Sequence, residues 1–136
     1  MNEEKNEKRI AHLGFIQGII TRMGENLFTL RGWMITLVVA LSVAFIEFGR
    51  NEFQIILVLV IVIFWVHDAY FLSLERSYRY LYDKVRKLKE DVVDFSMDIS
   101  EFNNLRKTSI WYCMSSKTLI YFYVPTLLLI GLISIF

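Results

Sequence analysis

One cysteine, one proline and two histidines in 136 residues exclude several kinds of chemistry at once. Cys113 alone forms no intrachain disulfide, and with His12 and His67 far from it in sequence there is no recognisable zinc or redox set. No glycine-rich loop is spaced to cradle a phosphate, and no G-x-S-x-G elbow presents a nucleophile. The adjacent carboxylates Glu90 and Asp91 sit in a run of mixed charge that reads as solvated surface. No enzyme activity, metal or cofactor is therefore expected. Positive charge is scarce in one place: of the fifteen Lys and Arg, only Arg50 falls in the link at 49–52 between two apolar runs.

Apolar residues are abundant, at 55% of the chain. They concentrate in three runs, Gly32–Phe48, Phe53–Leu72 and Leu119–Phe136. At about 1.5 Å per helical residue, runs of roughly 17–20 residues match a hydrocarbon layer of about 30 Å. The reading is all-α and integral to a lipid bilayer, in four regions: an N-terminal amphipathic helix over 1–31, a two-helix transmembrane hairpin over 32–72, a cytoplasmic helical region over 73–118 and a C-terminal hydrophobic helix over 119–136. No cleavable leader is expected, because about thirty polar and amphipathic residues precede the first run and no A-x-A-like site follows it. The positive-inside rule places the N-terminus and residues 73–118 in the cytoplasm and the 49–52 link and Phe136 outside.

Periodicity fills in the helices. Leu13, Ile16, Ile20, Met23, Leu27 and Leu30 recur in steps of three and four, one face of an amphipathic helix. Gly14 and Gly18, four apart, would admit a close helix crossing or be simply tolerated. In the first run Gly32, Thr36, Ala40 and Ala44 form a stripe of small residues, which is either the contact face of the hairpin or a wall that meets other copies around a pore. The second run continues past its apolar stretch as Phe71, Leu74, Tyr78, Leu81, Val85, Leu88 and Val92, a seam long enough to pair with another helix. His67 is placed on this seam as a packing residue. Charge pairs at four-residue spacing, Glu75–Arg79, Asp83–Lys87 and Arg86–Glu90, flank it. The segment "DFSMDISEFNN" offers caps and turns and should break the helix. Pro125 should kink the last helix, and Tyr121 and Tyr123, with Trp33 and Trp65, should lie in an inner aromatic belt.

Asp68 stands inside the second apolar run. Arg31 and Asp68 are nearly equidistant in sequence from the link, so a helical hairpin brings them to one depth, and they are expected to pair. A lone carboxylate in a span costs about 2.5–3.5 kcal/mol on insertion scales, which a facing guanidinium offsets. The pair is either a clamp that fixes hairpin register or, with Glu75 and Arg79 on the same stripe, part of a gate.

The segments "HLGFIQGIITRMGENLFTLRGW", "FWVHDAYFLSLERSYRYLYDKVR", "DFSM" and "SKTLIYFYVP" together resemble the SLATT family of small bacterial membrane effectors, most nearly the channel effectors of Hailong-type anti-phage defence. The family core has two spans, and the third apolar run is additional. The resemblance implies an inner-membrane homo-oligomer, expected as a tetramer, that conducts ions and is controlled by a nucleotide or oligonucleotide from a companion nucleotidyltransferase. Candidate ligand contacts are Arg76, Arg79, Lys84, Arg86, Lys87, Arg106 and Lys107 by charge, with Tyr78, Tyr80, Tyr82 and Trp111 stacking bases. Lipid head-group contact is the competing role for the same cations. A different class remains open beside the channel, a non-conducting membrane scaffold that recruits a protein through its cytoplasmic helix.

Overall fold

The structure is a computed structural model and describes residues 2–48, 51–88 and 94–133. Arg50, Glu90, Asp91, Val92 and Phe136, each named above, lie outside the described residues. Helix α1 spans Asn2–Phe48 and α2 spans Asn51–Lys87. Two 3-10 turns at Ser100–Phe102 and Arg106–Thr108 lead to the short helix α3, Ile110–Met114, and then to α4, Lys117–Ile133. No strand occurs among the described residues.

The expected amphipathic segment and the first apolar run form one unbroken helix of 47 residues, about 70 Å long. No proline interrupts it, and the hydroxyls of Thr29, Thr36 and Ser42 bond back to carbonyls four residues earlier instead of competing for the backbone. α2 returns alongside it. Phe48 and Phe53 stack across the link, with ring centroids 6.0 Å apart.

Two clusters hold this long hairpin. The one nearer the link gathers Met34, Leu57, Ile61, Ala69, Cys113, Leu119, Tyr123 and Ile130. The other, on the arms, gathers Ile16, Ile20, Leu81, Val85 and Phe102. The seam on α2 is thus covered by the N-terminal face of the same chain, because both stripes repeat in the same steps of three and four and the hairpin lays them side by side. His67 is not on that seam: it is exposed, with Nδ1 2.9 Å from the Ile63 carbonyl. Gly14 and Gly18 make no close crossing, since a Cβ at either would meet nothing within 4 Å.

Two helices are long and apolar enough to cross a membrane, within Asn6–Phe48 and Glu52–Lys87. Their most apolar windows are only 6% and 22% buried. Core helices of a water-soluble domain would hide such windows, whereas here Leu37, Val39, Val43, Ile55, Leu59 and Ile63 all face outward.

From Asp94 the described chain turns as the Ser, Asp and Asn cluster suggests. Asp94 Oδ1 accepts the Ser96 amide at 3.0 Å and Asp98 Oδ1 the Ser100 amide at 2.8 Å. Phe95 adopts a left-handed φ of 56°, sparsely populated for a side chain of this size. Its ring lies 5.3 Å from buried His12, whose Nε2 is 3.0 Å from the Ser96 carbonyl, so the turn is fastened to α1. The chain then climbs back along α2. Ala69, Ser73 and Ser77, small residues four apart, present a flat face on which it settles: the Ser73 hydroxyl donates to the Thr108 carbonyl, and Ala69 and Ser77 are buried. α4 continues through Pro125, and Ile130 joins Leu57 and Ile61 in the first cluster.

Candidate functional site

Two polar constellations stand out, one inside the helical hairpin and one on the arms. The first forms where α1, α2 and α4 meet. Arg31 Nε donates to Asp68 Oδ2 at 2.7 Å, with the Asp68 side chain wholly buried and Arg31 26% exposed. The guanidinium also lies over the Phe122 ring, 5.3 Å from its centroid. The buried Tyr123 hydroxyl faces the same carboxylate. Both that hydroxyl and Asp68 Oδ1 are buried without a hydrogen-bond partner among the described residues. Tyr123 stacks on Trp65 at 5.5 Å, and Trp65 Nε1 donates to the Met114 carbonyl at 3.2 Å. Trp65 and Tyr123 are therefore packing residues, while Trp33 and Tyr121 point outward as belt residues would.

Glu75 is not part of this node. Its carboxylate takes Arg79 Nη2 at 2.7 Å, one turn along α2. Among the described residues neither Glu75 nor Arg79 pairs with Asp68, whereas the Arg31–Asp68 pair joins α1 to α2 directly.

The second constellation is a pocket of about 440 Å³ lined by Arg76, Arg79, Tyr80, Asp83, Lys107 and Tyr112. Arg76 is its fixed point: Nη1 donates to the Lys107 carbonyl at 2.9 Å and lies 3.5 Å from Cys113 Sγ, and the guanidinium sits 5.5 Å from the Tyr112 ring. Arg106 lies 5.8 Å from that ring. Among the described residues, Arg76, Arg106 and Lys107 have no carboxylate within ion-pair distance, so their charge is uncompensated.

The other candidate cations are committed or scattered. Lys84 pairs with Glu101, and Arg86 pairs with Asp83 at 3.1 Å, the partner expected for Lys87. Lys87 is exposed at the end of α2. Tyr78 packs against the arm cluster, and Tyr82 lines a separate recess with Gln17 and Arg79. Tyr80 stacks on Phe102 at 5.9 Å, and Trp111 is 79% exposed. Tyr112 escaped the sequence reading, although "WY" just after the basic "RK" was a usable signal. Equally unread was the small face Ala69–Ser73–Ser77, which brings the 106–113 segment to Arg76.

Burial pushes the Cys113 thiol above its ordinary range, and Arg76 beside it opposes the shift only in part. A thiol-specific reagent at neutral pH should label the folded protein at least about tenfold more slowly than the denatured chain. Equal rates would show that the 106–116 segment does not stay docked.

No protein-family model, curated protein or solved structure matches this chain.

Proposed function

We propose that the chain is a subunit of a homo-oligomeric pore or ion channel of the bacterial inner membrane, an effector of anti-phage defence whose cytoplasmic arms respond to a nucleotide or oligonucleotide made by a companion nucleotidyltransferase. The observation that carries the pore reading is the position of the small-residue stripe. Gly32, Thr36 and Ala40 are exposed, and Ala44 is half-buried, on the face of α1 away from Met34, Val38 and Leu41, which make the hairpin contact. The stripe is therefore spare within one chain, and in lipid small residues let helices of neighbouring copies approach closely. One hairpin with α4 is too thin to enclose water, and a ring of copies, four in the simplest arrangement, would do so.

The defence role and the nucleotide signal rest on the resemblance to SLATT effectors. In this chain Lys87, Arg106 and Lys107 are the cations most available to an oligonucleotide backbone. The positive-inside bias supports an orientation with the arms and residues 73–118 in the cytoplasm. The scaffold alternative would have to recruit its partner through a face other than the α2 seam, which α1 already covers.

Purified protein in liposomes loaded with a potassium-sensitive dye tests the proposal, with and without short oligodeoxynucleotides. Flux is expected from the native chain, and Ala40→Trp should reduce it at least about tenfold by spoiling the close approach of copies. Absence of flux in every condition removes the channel reading.

A further inference from the structure

We propose that the Arg76–Tyr112 pocket is a binding site for one anionic phospholipid, its phosphate held by Arg76, Arg106 and Lys107 and an acyl chain lying in the apolar groove beside α3. This goes beyond the channel reading, whose pore needs only the stripe on α1, and it sets a lipid against an oligonucleotide at Arg106 and Lys107.

The charge comes first. Arg76 is anchored entirely by neutral groups, a carbonyl, a thiol and a ring, so its orientation is set while its charge is left uncancelled. Arg106 approaches the same ring, and Lys107 lines the pocket. The pocket's other charged residues do not answer them: Asp83 is occupied by Arg86, and Arg79 by Glu75. Three uncommitted cations around one tyrosine suit a phosphate ester, which an arginine fork grips through paired hydrogen bonds. The tyrosine adds a hydroxyl for the ester or glycerol oxygens.

Depth comes second. Arg76 lies two helical turns beyond Asp68, about 12 Å along α2. The second apolar run ends at Leu72, about 6 Å before Arg76 along α2, so the pocket falls in the head-group layer and not in open cytoplasm. Basic pockets between helices at that level hold anionic head groups.

The groove comes third. Trp65, Trp111, Met114, Ile120 and Val124 line an apolar concavity of about 330 Å³. Consecutive residues of α3 divide between the two sites, Trp111 lining the groove and Tyr112 the pocket. A soluble phosphate would use the first and ignore the second. A phospholipid, with head and tail in one molecule, would use both of these neighbouring concavities.

Native mass spectrometry of the detergent-purified full chain, titrated with phosphatidylglycerol, phosphatidylcholine or sn-glycerol 3-phosphate, separates the sources. One phosphatidylglycerol per chain is expected to be retained at least tenfold more tightly than phosphatidylcholine, with no retention of glycerol phosphate. Arg106→Gln and Lys107→Gln, both at exposed positions, together should erase the preference for phosphatidylglycerol. Trp111→Ala should weaken binding of both lipids alike. Equal retention of the two lipids, an unchanged preference in the double variant, or binding of glycerol phosphate as tight as the lipid would overturn the proposal. Dye flux measured without oligonucleotide in the same variants keeps the two readings apart: flux retained with the lipid lost leaves the channel standing, and the lipid retained without flux leaves the lipid site standing.

Discussion

Arg31→Met should destabilise the helical hairpin by about 3–5 kcal/mol, because it strands the wholly buried Asp68 carboxylate with no other cation paired to it among the described residues. The loss is not the strength of the ion pair but the cost of the charge left behind. Asp68→Leu added to Arg31→Met should therefore recover most of it, since the double variant buries neither charge. Unfolding by denaturant in mixed micelles, followed by helical circular dichroism, measures all three proteins. A double variant no more stable than Arg31→Met would show that the pair is incidental to the fold. Tyr123→Phe, which removes a buried hydroxyl that has no hydrogen-bond partner among the described residues, should change stability by less than about 1 kcal/mol.

Ile16→Ala on the arm should cost about 2–5 kcal/mol by emptying a fully buried position against Leu81 and Val85. The effect should be local. Hydrogen exchange is expected to accelerate over residues 8–24 and 78–88 and to stay slow over 34–45, where the first cluster is intact. Exchange that accelerates everywhere would mean the arms and the apolar half unfold as one unit. Exchange that does not change would mean the arms are held by something other than this seam.

Much of the hairpin was legible because its determinants are periodic or symmetric. Arg31 and Asp68 are nearly equidistant from the link, so their meeting follows from helical rise. The seam on α2 was legible as a stripe but not as a contact: periodicity reports that a face must be covered and says nothing about what covers it. The matching stripe at Leu13, Ile16 and Ile20 was visible too, and the hairpin geometry that pairs Arg31 with Asp68 also brings those residues to Leu81 and Val85. The docking of residues 100–114 was not legible. It depends on Ala69, Ser73 and Ser77, whose small size matters only once a second segment lies against them, and on hydrogen bonds to Thr108 and Lys107 carbonyls that leave no mark in composition. For the same reason the basic set was too wide. Charge identified every cation, and only the fold separates Arg76, Arg106 and Lys107 from Lys84 and Arg86, which neighbouring carboxylates have claimed.

Because α1 is a single rod from its exposed tip to the link, nothing at Arg31 or Gly32 works as a universal joint. A twist applied near His12 reaches Ala40 as the same twist, less only the torsional give of the helix. Any signal received at the tips would thus be transmitted as rotation, and the orientation of the small-residue stripe would follow it like the bit of a key turned from its bow.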